Sequence, residues 1–254
     1  MKNYYKITVL FFGLLLFSAC HDITTEGVSR VTFFVTFELE GGEQYLLPVG
    51  TPFVEPGMRA FENGVDVSSE VEVTGVDEID PDRKGFYDVV YSAVNVDGFP
   101  SSITRTVIVY DPTIDADISG DYLVDADLSH RLNLGNETII QYSNMAAMYG
   151  GGDFSTYVVR LGKVAPGIFS VSDFFGGYYS EGRAYKPAYA YEMKGYVALN
   201  TDNTLELCSS SVVAWGDSLD DLEDASYDPD TETVQWGAIY AGWLYSFNVV
   251  LNKK

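Results

Sequence analysis

The side chains best suited to ligand chemistry in this chain are aromatic rings, and many of them lie in one stretch. Residues 173–196 read DFFGGYYSEGRAYKPAYAYEMKGY, in which Phe and Tyr rings are interspersed with glycines. Tyrosine and tryptophan combine a large apolar face with a polar tip, so their rings suit the C–H faces of sugars while nearby polar groups bind the hydroxyls. The chemistry indicated is recognition of a ligand by stacking.

The pattern of this stretch favours a loop. It lacks the strict alternation of a strand and contains Gly176, Gly177, Gly182 and Pro187, which interrupt regular structure. A loop so rich in rings either packs over the mouth of a barrel or binds a ligand, and both alternatives stay open. The candidate ligand-binding residues are Phe175, Tyr178, Tyr179, Tyr185, Tyr189 and Trp215.

The acidic run after Trp215 comes nearest to a metal site. Its members are Asp217, Asp220, Asp221, Glu223, Asp224, Asp228, Asp230 and Glu232. Calcium prefers such oxygen ligands, but the ordered spacing of a calcium loop, with its internal glycine, is missing. We interpret the run as a solvated acidic loop and predict no metal site and no cofactor. Trp215, beside it, is expected to be an exposed ring.

Familiar catalytic motifs are missing from the sequence. The only histidines are His21 and His130, and there is no Gly-x-Ser-x-Gly, HExxH, P-loop or Cys–His pair. Glycosidases need two carboxylates at a set separation, which 37 acidic residues leave open, yet no carboxylate stands in a recognisable motif. We therefore predict no catalytic residues and a protein that is not an enzyme.

Charge and composition limit the partners and the fold class. The formal net charge of −22 argues against nucleic acid as a partner. Abundant Gly and Tyr, together with recurrent turn pairs, indicate an all-β chain. Its length allows one large domain or two ordinary ones.

The N-terminus indicates export and anchoring. An apolar segment too short to span a bilayer is followed by Ser-Ala and then Cys20. Small residues before a cysteine resemble a lipobox, which implies removal of a signal peptide at 1–19 and lipidation of Cys20. An ordinary secretory peptide with an incidental cysteine is the alternative. Residues 20–30 are predicted to be a tether, and the protein to be held in the outer membrane by its lipid, facing the cell surface.

Residues 31–112 are predicted to form a first β-domain from two strands of clear alternation joined at Asp97-Gly98, a hairpin turn pair. The residues that share one face are Tyr87, Val89, Tyr91 and Ala93 in the first run and Ile103, Arg105, Val107 and Val109 in the second. Together with Pro56-Gly57 and residues 71–73 and 104–107, this spacing is similar to that of the bacterial surface immunoglobulin-like domain. The resemblance implies a small antiparallel β-sandwich that acts as a spacer or interaction module.

Residues 117–254 are predicted to form a second domain, an antiparallel β-meander that closes into a barrel or folds into a sandwich. Turns at 166–167, 201–203 and 228–230 separate its strands. Short helical turns are predicted at 143–149 and 218–224. The closing segment is the clearest strand, and its core-facing residues are predicted to be Trp243, Tyr245, Phe247, Val249 and Leu251.

This half also carries a resemblance. The opening GDY, the SVSDFFGGYY block, the WG after a polar strand and the closing aromatic strand are similar to the C-terminal domain of Bacteroidetes-type surface lipoproteins. Many such proteins are encoded beside glycan-uptake systems, which implies glycan handling. We predict a non-catalytic binding role with a glycan as the expected ligand. The alternatives are a structural or protein-interaction lipoprotein that docks with an outer-membrane transport complex, and a glycan-active enzyme.

Overall fold

The computed structural model describes residues 31–254. The predicted signal peptide at 1–19, the predicted lipidation site Cys20 and the predicted tether at 20–30 lie outside these residues. Across the part of the chain that is described, no helix has the length and apolar character needed to cross a bilayer.

Seven strands form the first unit, in two facing sheets ordered β1-β3-β4 and β2-β7-β6-β5. The strands are β1 (Thr36–Leu39), β2 (Gln44–Pro48), β3 (Met58–Glu62), β4 (Val65–Asp66), β5 (Glu72–Thr74), β6 (Gly85–Val94) and β7 (Pro100–Tyr110). The predicted hairpin is confirmed, because β6 and β7 pair along their length and Gly98 adopts a φ of +88° in the turn. Val89 and Tyr91 are fully buried between the sheets, as their alternation predicts.

One pairing in this unit differs from the all-antiparallel sandwich that the resemblance implies. Strand β2 runs parallel to β7, with Tyr45 opposite Val107. Four other strands separate β2 from β7 in the chain, so no hairpin forces the two strands to run in opposite directions.

Ten strands form the second unit, in one antiparallel sheet that curls on itself. The strands are β8 (Gly120–Val124), β9 (His130–Asn133), β10 (Ile139–Gln141), β11 (Val158–Ala165), β12 (Ile168–Val171), β13 (Met193–Leu199), β14 (Leu205–Val212), β15 (Asp221–Asp228), β16 (Thr233–Tyr240) and β17 (Tyr245–Lys253). β17 pairs with β16 on one side and with β9 and β8 on the other. The curl brings β14 and β15 together at the single bridge between Thr204 and Ser226. The predicted antiparallel meander is therefore a curled, half-barrel sheet.

The remaining elements of the second unit are short. A helix, α1 (Met145–Tyr149), follows a 3-10 turn at Tyr142–Asn144, which confirms the helical turn predicted at 143–149. Two further turns lie in the aromatic stretch, a π-helical turn at Tyr178–Gly182 and a 3-10 turn at Ala188–Tyr191. The other 3-10 turns are Ser68–Glu70, Val76–Glu78 and Phe154–Thr156.

The helical turn predicted at 218–224 is wrong, because this segment leads into β15. Leu219 and Leu222 are buried at a spacing of three residues, which imitates a helical period. The pairing of β15 with β16 shifts register between Glu223 and Ser226, and this irregularity disturbs the period-two signal of a strand. The acidic run is accordingly half loop and half strand, with its carboxylates exposed.

The prediction that Trp243 faces the core is also wrong. Trp243 lies in the turn between β16 and β17, where its φ is +61° and 52% of the residue is exposed. The alternation of the closing segment holds from Tyr245 onward, since β17 begins there and Phe247, Val249 and Leu251 are buried. Alternation cannot continue through a turn, because the backbone there leaves the pleat.

The two units contact each other through the outer faces of their sheets. Phe86 of β6 packs on Tyr196 of β13, with ring centroids 4.3 Å apart. Ile108 of β7 is buried in a small apolar cluster with residues of β11, β12 and β13. Lys84 also donates a hydrogen bond to the side-chain oxygen of Asn200. This contact explains why Ile108, on the face of β7 opposite the sandwich core, is buried.

Candidate functional site

The aromatic stretch is fastened to the second unit by one buried carboxylate. Asp173, 1% exposed, lies two residues after β12 and accepts hydrogen bonds from the backbone N–H groups of Phe175 (3.0 Å), Gly177 (2.7 Å) and Met193 (3.0 Å). The hydroxyl of Tyr157 donates to the same carboxylate at 2.9 Å. These bonds join the two ends of the loop, because Met193 opens β13 on its far side.

Burial raises the pKa of the Asp173 carboxyl from 3.8 to about 6, although the four donated hydrogen bonds each act to lower it. The local turn also requires glycine. Gly177 has a φ of +82°, and a Cβ there would meet the ring of Tyr157 at 2.8 Å.

The first rings of the stretch fill the interior of the curled sheet. Phe174, Phe175 and Tyr178 are fully buried. The centroid of Phe175 lies 4.6 Å from that of Phe247, and the indole N–H of Trp236 donates to the Phe174 carbonyl at 2.8 Å. Phe175 and Tyr178 were candidate ligand-binding residues, and the structure places both in the core instead. Loop residues here turn inward because Asp173 holds them beneath the sheet.

Four later rings meet at the surface, and we call this set the surface ring cluster: Tyr179, Tyr185, Tyr191 and Trp215. Tyr179 stacks on Tyr185, with centroids 6.0 Å apart and an interplanar angle of 25°, and meets Trp215 edge-on at 4.9 Å. Tyr191 contacts Tyr185 at 5.0 Å and Trp215 at 5.4 Å. Trp215 is 43% exposed, as predicted, whereas the three tyrosines are half-buried.

The loop that carries Trp215 is held against the stretch by backbone contacts. The N–H of Ala214 donates to the carbonyl of Ala190 at 2.7 Å, which sets Trp215 beside Tyr191. Behind Trp215, Tyr240 donates to the carboxylate of Asp217 at 2.9 Å. Two segments distant in sequence are thus brought to one surface.

Of the candidate residues, Tyr179, Tyr185 and Trp215 come together, while Tyr189 is 61% exposed and stands outside the ring contacts of the described residues. Tyr191 was absent from the candidate set and belongs to the cluster. Its membership of the same Tyr-rich stretch was the available signal.

Two cations that sequence reasoning missed lie beside these rings. The guanidinium of Arg131, on β9, lies over Tyr245 at 4.6 Å and Tyr178 at 5.4 Å. The guanidinium of Arg183 lies over Tyr149 at 4.1 Å and donates to the hydroxyl of Tyr185 at 3.0 Å. Burial raises the pKa of the Tyr179 hydroxyl, which therefore stays a neutral donor at physiological pH.

Clefts elsewhere on the molecule are separate from the surface ring cluster. One of about 480 Å³ lies in the first unit between Phe33, Val65 and Val96. Another of about 450 Å³ lies outside β11–β13, between Arg160 and Lys194. Within residues 31–254, no three acidic, His or Cys side chains converge in a way that could hold a metal ion.

Each of the two units matches a known protein-family model. The model of the bacterial surface protein Ig-like domain matches residues 37–109, and the model of a C-terminal domain family matches residues 111–253. The crystal structure of the lipoprotein BT2262 from Bacteroides thetaiotaomicron matches with 39% sequence identity, covering 87% of this chain and 100% of that chain, at a TM-score of 0.44. The chain belongs to the family of this Bacteroides lipoprotein.

Identity and coverage carry this assignment, and they confirm both resemblances seen in the sequence. No protein among the curated ones matches the chain.

Two structures of ZmpB from Clostridium perfringens also match weakly. One contains CBM51-2 in complex with GlcNAc and INT domains, with 17% identity, 54% of this chain and 31% of that chain covered, and a TM-score of 0.28. The other contains the M60 catalytic domain with CBM51-1 and CBM51-2. It matches with 16% identity, covers 56% of this chain and 15% of that chain, and has a TM-score of 0.30. At these values neither match carries an argument about function.

Proposed function

We propose that this protein is a lipid-anchored protein of the outer membrane, facing the cell surface, whose second unit binds a glycan without catalysing its cleavage. The exposed indole of Trp215 within the surface ring cluster carries the binding part of this proposal. Rings held at a surface by their neighbours can stack on sugar faces with little loss of conformational entropy, because their rotamers are already ordered.

The anchor is supported by the lipobox-like sequence before Cys20 and by the 39% identical lipoprotein relative. Replacing Cys20 with serine removes the thiol that would carry lipid. We expect the Cys20→Ser protein to lose incorporation of labelled palmitate and to leave the membrane fraction. Wild-type protein that takes up no label would contradict the anchor.

The ring cluster makes a testable prediction about binding. Trp215→Ala in the full chain, solubilised in detergent, is expected to raise the Kd for a retained glycan about tenfold, which corresponds to about 1.4 kcal/mol of lost contact. Tyr185→Ala is expected to weaken binding in the same direction. Glycan-array screening followed by calorimetry on the retained glycan measures both effects.

Trp243→Ala is the matched control, since Trp243 is a 52% exposed tryptophan in the same unit but outside the surface ring cluster. Its Kd should stay within about twofold of wild type. If all three variants bound the glycan as tightly as wild type, the assignment of the site would be contradicted. If wild type bound no glycan on the array, the proposed function would be contradicted.

A second function, contact with another protein, is favoured by apolar side chains on the first unit. Exposed apolar residues at one end of this unit are Val31, Phe33, Phe34, Val65, Val96 and Phe99. Phe34 and Phe99 lie 5.8 Å apart, and the cleft of about 480 Å³ opens beside them. Exposed apolar patches mark interaction sites. Co-purification with an outer-membrane transport complex, reduced by Phe34→Ser, would support this function.

A further inference from the structure

Arg131 and Arg183 lie over aromatic rings of the second unit. The chain has 37 acidic residues and 15 lysines and arginines, so carboxylates are in excess. Some lysines and arginines of the described chain form ion pairs, such as Arg105 with Glu55 and Arg160 with Asp121. Neither Arg131 nor Arg183 forms an ion pair with a residue of the described chain.

Both guanidinium groups face tyrosines instead of carboxylates. Tyr178 links them, because its ring lies under Arg131 while Arg183 and Tyr149 lie close to its hydroxyl. The group formed by Arg131, Arg183, Tyr149 and Tyr178 therefore contains two cations and two hydroxyls.

One donor beside these rings is left over. The Nε of Arg131 is enclosed and makes no hydrogen bond to the described residues. An enclosed donor without an acceptor costs free energy. A bound group that supplies acceptor atoms and negative charge would satisfy this donor.

These cations adjoin the proposed sugar platform. Tyr185 accepts the hydrogen bond from Arg183 at 3.0 Å and stacks on Tyr179 in the surface ring cluster. Tyr179 in turn feels the charges of both Arg131 and Arg183. A ligand lying on Trp215 and Tyr185 thus has a guanidinium within reach of one side.

We propose that the surface ring cluster and the adjoining Arg131 and Arg183 select acidic saccharides, with a uronic or sialic acid carboxylate held by the guanidinium groups and its sugar ring on Trp215 and Tyr185. The inference rests on the proposed function and names its ligand class. A guanidinium matches a carboxylate with two parallel N–H donors, which makes arginine the suited residue.

The test compares ligands that differ only in the carboxylate. Full-chain protein in detergent is titrated with trigalacturonate and its methyl ester, and with sialyllactose and lactose. We expect wild type to bind at least one acidic member about tenfold more tightly than its neutral partner, with the preference reduced at high salt. Arg183→Gln is expected to abolish the preference while binding of the neutral partner persists.

Arg131→Gln is expected to act like Arg183→Gln, and Arg131→Lys keeps a charge over Tyr178 in case the glutamine variant does not fold. Lysine should restore part of the preference, since it retains the charge but not the paired donors. Arg160→Gln is the control, because Arg160 is exposed and paired with Asp121 away from the cluster. It should leave the preference unchanged.

The outcomes separate the two proposals. Equal binding of acidic and neutral members, with loss of both in Trp215→Ala, overturns the acidic selection and leaves glycan binding standing. Preference retained in both arginine variants also overturns it. Binding of sulfate-bearing but not carboxylate-bearing sugars shows that a sulfate ester is the anion and overturns the carboxylate assignment. Binding of no member by wild type overturns the acidic selection, whereas glycan binding itself is decided by the array.

Discussion

Asp173→Ala is expected to lower the free energy of unfolding of the second unit by about 3–5 kcal/mol at pH 7. The substitution leaves three backbone N–H groups and the Tyr157 hydroxyl without their acceptor in a site that water does not reach freely. Each buried donor left unpaired costs about 1–3 kcal/mol, so partial rearrangement still leaves a large loss. The aromatic stretch should loosen with it, because Asp173 joins both ends of the loop.

Urea unfolding followed by tryptophan fluorescence measures this loss, since all three tryptophans (Trp215, Trp236 and Trp243) lie in the second unit. Asp153→Ala is the matched control. Asp153 also accepts a backbone N–H, that of Ser155, but at an exposed turn where water can replace the bond. Its effect should be much smaller. An Asp173→Ala protein as stable as the control would show that the carboxylate does not fasten the stretch.

The pKa of Asp173 adds a pH signature. Because burial raises this pKa from 3.8 to about 6 in the folded state, the protonated carboxyl contributes stability that is present below about pH 4. That contribution is lost as the pH rises through about 6, and it amounts to about 3 kcal/mol for a shift of about two pKa units. Asp173→Asn cannot titrate. The difference in unfolding free energy between wild type and Asp173→Asn should therefore change between pH 4 and pH 6.5 and be flat above. A difference independent of pH would contradict the raised pKa.

Glu55→Ala is expected to destabilise the first unit by about 3 kcal/mol, the second large effect. The Arg105 side chain is fully buried, and its Nη1 lies 3.0 Å from the carboxylate of Glu55. Its Nη2 donates to the Gly57 carbonyl at 3.1 Å, and the guanidinium lies 5.6 Å from the Tyr91 ring centroid. Removing one partner of a buried ion pair leaves an uncompensated charge, which costs about 3–5 kcal/mol. We take the lower end because the Glu55 side chain is 29% exposed.

The double variant Glu55→Ala/Arg105→Met is the control for this effect. Replacing a buried pair by apolar side chains is often neutral, so methionine at 105 should recover much of the loss. Hydrogen exchange of the β6 and β7 amides reports on this unit, which contains no tryptophan. A double variant less stable than Glu55→Ala alone would show that Arg105 contributes by packing rather than through its charge.

Local patterns predicted the elements whose signals are themselves local. The turn pairs at 97–98 and 166–167 and the alternation of β6 and β7 all hold. In each, a glycine's backbone freedom or a period of two is set by a few neighbouring residues. Hydrophobic spacing gave wrong predictions at two places where the strand geometry is irregular or ends in a turn. Leu219 and Leu222 imitate a helix ahead of an irregular strand pair, and Trp243 continues an alternation into a turn.

The ion-pair partner of Arg105 could not be predicted from local sequence patterns. The place of Arg105 on an apolar strand face was evident, but its partner Glu55 lies 50 residues earlier, and only the packing of the sandwich brings them within 3.0 Å. Arg131 and Arg183 were invisible for the same reason. Charge lacks the periodicity that marks a core face, and its meaning depends on neighbours that the chain supplies from afar.

By itself, the sequence determined that this protein is all-β, that it has an immunoglobulin-like unit before an antiparallel one, and that its rings concentrate at 173–196. Only the tertiary structure decided what each ring does. Phe175 and Tyr178 are buried, whereas Tyr179 and Tyr185 meet Trp215 at the surface. The reason is physical, since an irregular loop has no repeat to orient its side chains. Their directions are set by the hydrogen bonds of Asp173 and by the curl of the sheet over them.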